Sequence, residues 1–421
     1  MPSSKLSHLA ETLIGSEIVK LGADIKAKMA LGNKIYNFTI GDFDSSIFPI
    51  PQELENEIVE AYKKHHTTYP PADGILELRN AVAEFIQKRE GLTFGTDEIL
   101  IAAGGRPLIY AAYRAIVDKG EKVIYAVPSW NNNHYVHFAE GEHVLIESKR
   151  ENNFMPTAAE IKPHLKGTSL LALCSPLNPT GTAFTKEELE EICDLVIAEN
   201  EQRGDDEKKL YVLYDQIYWT LTYGNTEHFN PVSLRPRMKE FTIFIDGISK
   251  SFAATGVRVG WALGPANLIN KMKAINSHVG AWAPMAEQKA TANYLLQIQN
   301  VDTYFTHFKA EIAERLQRIY EGFQQLKTAG FSVDAVAPQA AIYLTIQIDL
   351  VGKITTEGKK LDTQTQVTDY LLNEAKLAIV PFSAFGASSN SSWYRLSVGT
   401  CKKEEINEML ETLKASLQKL S

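Results

Sequence analysis

Lys250 stands in Asp246-Gly247-Ile248-Ser249-Lys250-Ser251-Phe252, just after the apolar run Phe241-Thr242-Ile243-Phe244-Ile245, and Arg258 lies eight residues further on. Upstream come Asp215, in Leu213-Tyr214-Asp215-Gln216-Ile217-Tyr218, and Asn178, in Ser175-Pro176-Leu177-Asn178-Pro179-Thr180-Gly181. A lysine amine can condense with an aldehyde to a Schiff base. A carboxylate can keep a pyridine nitrogen protonated, and a guanidinium can meet a phosphate. In this order, these residue types are the parts of a pyridoxal phosphate site.

Each residue also has a plainer reading. Most lysines are solvated, but Lys250 ends an apolar strand and enters a small-residue turn, and strand carboxyl ends are where open α/β sheets place their sites. A nucleophilic lysine needs a depressed pKa, supplied by a neighbouring cation or by desolvation. Asp215 follows the expected strand Leu210–Tyr214 and reads equally as a capping aspartate; Tyr218 reads as a donor to a phenolic oxygen or as a packed aromatic. Gly104-Gly105-Arg106 follows the expected strand Ile99–Ala103 and opens a helix, where glycines admit a phosphate to free N–H groups. Pro107 suits that first turn because it has no N–H to leave unpaired. The segment Asn178 to Gly181 is turn chemistry, and it also puts an amide at the sheet's carboxyl edge. Trp130 and Arg395 are ambiguous alone.

The elements that must position these residues are legible as alternation. Short apolar runs at Lys122–Val127, His143–Glu147, Leu170–Cys174, Thr242–Ile245 and Val257–Ala262 alternate with helical patterns, which reads as βαβ units around a mainly parallel sheet. Thr185 with Glu188 makes a capping box ahead of Leu189, Ile192, Leu195 and Val196. Residues 14–40 read as a helix followed by a strand. Near the other end, Tyr304–Leu326, Thr363–Leu377 and Lys402–Leu420 read as helices, and Ala341–Ile348 and Tyr394–Val398 as strands. Two domains are therefore expected: residues 46–300 as a large one, and residues 1–45 with 301–421 as a smaller α+β domain built from both chain ends.

Composition narrows the classes. The 421 residues suffice for two domains, and a 44% hydrophobic content fills an ordinary globular core. A net charge of −8 argues against a nucleic-acid surface, which needs a basic face. No basic segment followed by an apolar stretch opens the chain, and no window of about 18 apolar residues occurs, so neither a secretory leader nor a membrane span is expected. Cys174, Cys193 and Cys401 are odd in number and scattered. They suggest a reducing, cytoplasmic setting and neither disulfides nor a metal site. Cys174, in an apolar strand, reads as a small core residue.

Taken together, the chain resembles the class I/II aminotransferases, the fold-type-I pyridoxal phosphate enzymes, from about Leu6 to Leu420, and most of all the aspartate-aminotransferase-like branch. The resemblance rests on Tyr69-Pro70-Pro71-Ala72-Asp73-Gly74 with Leu78-Arg79, Gly104-Gly105-Arg106, Asn178-Pro179-Thr180-Gly181, Asp215 with Tyr218, Ser249-Lys250 with Thr255-Gly256-Val257-Arg258-Val259-Gly260, and Tyr394-Arg395-Leu396-Ser397. It implies that Lys250 holds pyridoxal 5'-phosphate as a Schiff base and shuttles the Cα proton, and that Asp215 pairs with the pyridine nitrogen. Tyr218 and Asn178 would bond the phenolic oxygen and Trp130 would stack on the ring. Gly104, Gly105, the Arg106 backbone, Ser249 and Arg258 would hold the phosphate. Tyr69 would reach the neighbouring subunit's phosphate, which implies a homodimer. Arg395 would clamp the substrate α-carboxylate, in a pocket also lined by Gly41, with Trp130 and Asn178 beside it. Arg106 would grip a distal carboxylate, or serve only phosphate or solvent. The implied reaction moves an amino group between an L-amino acid, with a lean towards aspartate or glutamate, and a 2-oxo acid, as part of amino-acid metabolism.

The departures from the family pattern are local. Gln216 stands where a glutamate is usual, Leu177 where an asparagine is, and Gly247 where a serine often supplies a phosphate hydroxyl. The usual Gly-Ala-Phe-Tyr run is Ala340-Ala341-Ile342-Tyr343, and Asn131-Asn132-Asn133 follows Trp130. The same cofactor site also serves carbon–sulfur β-lyases and decarboxylases, so another reaction on the fold stays open. A regulator's sensor domain is disfavoured because no basic winged-helix region precedes the fold. A catalytically dead scaffold is disfavoured because Lys250, Asp215, Arg258 and Arg395 are all present.

Overall fold

The computed structural model describes residues 6–15, 17–204 and 206–421. Residues 1–5, Ser16 and Asp205 lie outside the described residues, so parts of the expected 1–45 segment do as well. In chain order the strands are β1 (Tyr36–Asn37), β2 (Ile99–Ala102), β3 (Lys122–Val127), β4 (Glu142–Glu147), β5 (Thr168–Cys174), β6 (Tyr211–Asp215), β7 (Thr242–Gly247), β8 (Gly260–Leu263), β9 (Val333–Ala335), β10 (Tyr343–Ile348), β11 (Leu377–Ala378), β12 (Val380–Pro381) and β13 (Trp393–Ser397).

Seven strands form one sheet in the order β2-β8-β7-β6-β5-β3-β4. From β7 to β4 every neighbour is parallel; β8 alone runs antiparallel, to β7 on one side and β2 on the other. The central strands are apolar on both faces. Leu171, Leu173, Val212, Tyr214 and Phe244 pack into one core, and Leu170, Ala172, Leu213, Ile243 and Ile245 into a second. Side chains alternate across a strand, so a run such as Leu170 to Leu173 feeds both layers, as expected of a parallel sheet covered by helices on each side. The helix Lys186–Gln202 lies on this sheet and begins with the anticipated box. Its Glu188 N–H donates to Thr185 Oγ1 at 3.3 Å, and the Thr185 N–H donates to Glu188 Oε2 at 2.9 Å.

A smaller antiparallel sheet, β12-β13-β10-β9, packs with the long helix Ile298–Thr328 and the final helix Glu405–Leu417 around a separate apolar core. The N-terminal part joins it: β1 pairs in parallel with β11, and the Ser397 N–H donates to the Phe38 carbonyl at 2.9 Å. No helix among the described residues is long and apolar enough to cross a membrane.

Several expected boundaries shift for physical reasons. The Val257–Ala262 run becomes a strand only from Gly260, because the preceding turn places Arg258 at φ +64°. Likewise Ala341 lies at φ +59°, so β10 starts at Tyr343. β6 extends one residue past Tyr214 and makes Asp215 its last member. Lys250 sits on a helical turn, Ile248–Ser251, rather than in an open turn.

Candidate active site

β5, β6 and β7 end side by side, with Cys174 opposite Asp215 and Asp215 opposite Ile245 in register. Their carboxyl ends, the turn after β2 and segments of the smaller core enclose a cavity of about 710 Å³. Lys250 and Asp215 line it, with Arg106, Arg258 and Arg395 around them.

The Lys250 amine donates to the Gly41 carbonyl at 2.7 Å. Burial pushes its pKa down to about 8; Arg395, Arg106 and Arg258 push the same way, and Asp42 opposes them. The physics is direct: taking an ammonium out of water, and placing it near other cations, disfavours the charged form. The amine is therefore largely a neutral nucleophile above pH 8, where an ordinary lysine stays protonated to about pH 10.

Asp215 accepts one hydrogen bond, from the Ile217 N–H to Oδ1 at 3.1 Å, and no cation among the described residues pairs with it. Desolvation raises its pKa to about 6. A protonated ring nitrogen in the cavity would supply the missing charge and return it to the carboxylate form. Tyr218 and Tyr343 share a hydroxyl–hydroxyl bond of 2.6 Å, and burial raises the Tyr218 phenol well above its usual range.

The anion cradle is built from glycine contacts. Gly104, at φ +85°, takes a backbone conformation that L side chains rarely adopt, and a Cβ there would run into the Arg258 guanidinium. Gly105 opens the helix Gly105–Ile116, whose first N–H groups have no partner within the helix. Arg258 is oriented by two carbonyls, Thr255 and Ala103, both accepting at 2.6 Å. Gly260 pairs with Ala102 on one side and Gly247 on the other. A Cβ on Gly260 would come within 2.7 Å of Gly104 C, and one on Gly247 within 2.7 Å of Gly260 Cα. Gly247 therefore stands where the family often has serine because β8 leaves no room for a side chain. Ser249, nearly buried, is the hydroxyl beside the cradle.

Arg395 arrives from β13 in the smaller sheet. It is 2% exposed, and it donates to Asn178 Oδ1 at 3.1 Å and to the Thr39 carbonyl at 2.7 Å, while its buried Nε has no partner. The turn at Asn178–Gly181 packs on β10, with Thr345 Oγ1 donating to the Thr180 carbonyl at 2.7 Å, and this brings Asn178 to Arg395. Arg106 lies over the Trp130 ring at 4.5 Å. Among the described residues, none of Arg106, Arg258 and Arg395 forms an ion pair with a carboxylate. The set can hold a dianion at Gly104–Gly105, a protonated ring nitrogen at Asp215, a carbonyl carbon beside Lys250, and further carboxylates at the remaining guanidiniums.

Gly41, Gly105, Arg106, Trp130, Asn178, Asp215, Tyr218, Ser249, Lys250, Arg258 and Arg395 thus converge on one cavity, with Gly104 behind it. Tyr69 does not: it is 84% exposed and packs against Trp282 outside the cavity. Cys174, expected in the core, packs on that core and also lines the cavity. Asn132 bonds Tyr113 and Ser129, so the asparagine run serves partly to shape the wall. Gln216 is fully buried and donates to Glu90 Oε1 at 2.8 Å, where a glutamate would oppose a second buried carboxylate. Asp42, Thr255 and Tyr343 also line the cavity and carry no role in the sequence reading. Their signal is position: Asp42 follows Gly41, Thr255 opens the motif holding Arg258, and Tyr343 closes the altered Ala-Ala-Ile-Tyr run. No group of His, Cys, Asp or Glu among the described residues could hold a metal ion.

Comparison with known proteins gives the family and the fold. Residues 33–413 match the family model for aminotransferase class I and II. The aspartate aminotransferase of Rhizobium meliloti (strain 1021) is 30% identical over 423 residues, covering 100% of this chain and 97% of that protein. The crystal structure of the Rhizobium meliloti aspartate aminotransferase superposes with a TM-score of 0.88 at 28% identity, over 99% of this chain and 100% of that one. The Thermus thermophilus aspartate aminotransferase with maleate superposes with a TM-score of 0.86 at 27% identity, over 98% and 100%.

The glycine contacts generate a prediction. Gly247→Ser is expected to cost about 1–3 kcal/mol of stability, as overpacking does, and to weaken phosphate binding despite the added hydroxyl. Chemical unfolding and a phosphate titration check it. Undiminished stability with tighter phosphate binding would show that β8 can give way.

Proposed function

The chain belongs to the class I and II aminotransferases, and from that premise we propose that it binds pyridoxal 5'-phosphate in the 710 Å³ cavity and transfers the amino group of aspartate or glutamate to a 2-oxo acid. It is an aminotransferase with the fold-type-I architecture of that family. The observation that carries the fuller reading is one half-buried lysine amine among three guanidiniums without carboxylate partners.

Pyridoxal phosphate, when bound, supplies an aldehyde that condenses with amines and a pyridinium ring that takes up electrons from the substrate Cα–H bond. The residues do the rest. Arg258, Ser249, Gly104, Gly105 and the Arg106 N–H would hold the phosphate. Asp215 would stay ionised against the ring nitrogen, Trp130 would cover the ring face, and Tyr218 with Asn178 Nδ2 would donate to the phenolic oxygen. Arg395 would grip the substrate α-carboxylate in a bidentate fork beside Gly41 and so orient the Cα–H bond. Lys250 Nζ, neutral, would take the substrate Cα proton as general base and, as the ammonium, hold it for return. Amino donor and oxo acceptor use the same pocket in turn, a ping-pong scheme.

Arg106 is assigned the distal carboxylate. Its guanidinium is stacked on Trp130, faces the cavity and lacks an acidic partner among the described residues. The aspartate aminotransferase relatives, one of them described with maleate, support a dicarboxylic substrate. We also assign a homodimer in which Tyr69 of a second copy reaches the phosphate; its exposure away from the cavity of its own chain supports this. Residues 46–300 would form the cofactor-binding domain, and residues 1–45 with 301–421 the smaller one; their separate apolar cores support the division. Three unpaired cysteines support a cytoplasmic setting.

Two outcomes test this. Adding aspartate or glutamate to the pyridoxal phosphate-loaded protein is expected to replace the visible absorbance band by a near-ultraviolet one, reversed by a 2-oxo acid. Release of pyruvate and ammonia from a cysteine conjugate, with no such conversion, would move the assignment to a β-lyase. Arg106→Gln is expected to lower kcat/KM for aspartate roughly 10- to 100-fold, the worth of a charge-assisted hydrogen bond, while alanine changes little. An equal fall for both would return Arg106 to the phosphate.

A further inference from the structure

A general-base lysine becomes an ammonium when it takes up a proton, and that charge must be tolerated until the proton is returned. Around Lys250 the surroundings look hostile to it. Arg106 comes from the helix after β2, Arg258 from the turn before β8 and Arg395 from β13, and all three bear on the amine. The rings of Phe43 and Tyr218 lie 5.6 and 5.9 Å from Nζ. The hydroxyls of Tyr218 and Tyr343 are bonded to each other. Two carboxylates line the cavity. Of the two, Asp42 adjoins Gly41, whose carbonyl holds the amine, and it bears on Lys250.

Asp42 is tied down. Its Oδ1 accepts from the Phe43 N–H at 2.8 Å and from Thr255 Oγ1 at 2.7 Å. The residue before it, Gly41, presents the carbonyl that accepts from Lys250 Nζ at 2.7 Å. The Thr255 carbonyl in turn accepts from Arg258 at 2.6 Å. One hydroxyl–carboxylate bond therefore joins the segment carrying the amine's acceptor to the loop that orients the Arg258 guanidinium.

We propose that Asp42 is a positioning residue for the reacting amine: bridged to Thr255, it holds the Gly41 carbonyl where Lys250 Nζ rests when not covalently engaged, and it fixes a negative charge beside that carbonyl against three guanidiniums. The neutral base and its ammonium then stay within reach of each other, and Lys250 can accept a proton and return it. The inference rests on Lys250 being the reacting lysine. Nothing in it requires aspartate or any particular donor.

The test uses cofactor-free protein, so it does not depend on turnover. The rate of Lys250 labelling by an amine-reactive acetylating reagent is followed against pH by peptide mass spectrometry. Native protein is expected to show a midpoint near 8; a midpoint in the ordinary lysine range would sink the Lys250 assignment itself. Asp42→Asn keeps an acceptor for Thr255 and removes the charge that favours the ammonium. Its midpoint is expected to fall by about one pH unit, the scale of losing one nearby opposite charge. Thr255→Val leaves the carboxylate unanchored and is expected to shift the midpoint in the same direction by less. Should Asp42→Asn fail to fold, the Thr255→Val midpoint decides alone. A native midpoint near 8 that neither variant moves would overturn the role of Asp42 and leave Lys250 untouched.

Discussion

A half-buried amine among three guanidiniums is electrostatically expensive, and much of this cavity's geometry concerns how that arrangement is held. Burial alone would push the Lys250 proton off. The guanidiniums add to the push, and Asp42 with the Gly41 carbonyl limits it. The same cations that depress the amine are the ones left without carboxylates of their own. One arrangement therefore serves two ends: it makes a nucleophile near neutral pH, and it leaves room for the negative charge of phosphate and substrate.

That arrangement exists because two cores meet at one edge. The large sheet brings Asp215, Lys250 and Arg258 together at adjacent strand ends, and the Gly104, Gly247 and Gly260 contacts press β8 against the anion turn. The smaller sheet delivers Arg395 and Tyr343, and the segment after β1 delivers Gly41 and Asp42. The Asn178–Gly181 turn docks on β10, and Phe38 pairs with Ser397 beside Arg395, so both contacts lie where the two cores meet the cavity.

What could be read along the chain was what local chemistry specifies. The Thr185 capping box, the apolar central strands, the Gly104-Gly105 turn, and Lys250 and Asp215 near strand ends each have a cause within a few residues. Contacts between residues far apart in sequence were not legible. Thr255 and Asp42 are 213 residues apart, and Tyr218 and Tyr343 are 125 apart, so no periodicity connects them. The missing Gly247 side chain looked like a lost phosphate ligand, and only the distance to Gly260 Cα gives the steric reason. Strand starts at Gly260 and Tyr343 were missed because Arg258 and Ala341 adopt positive φ, which neither residue type announces. Tyr69 is a different case: its motif implies a role in a neighbouring copy, and its exposed side chain lies outside the cavity of its own chain.

The central claim is that Lys250, and no other lysine, bonds the cofactor covalently. Borohydride reduction of the pyridoxal phosphate-loaded protein, followed by peptide mapping, measures this directly. The predicted result is a phosphopyridoxyl group on the peptide containing Lys250, close to one per chain, and lost entirely in Lys250→Ala. Label spread over exposed lysines, or none at all, would contradict it.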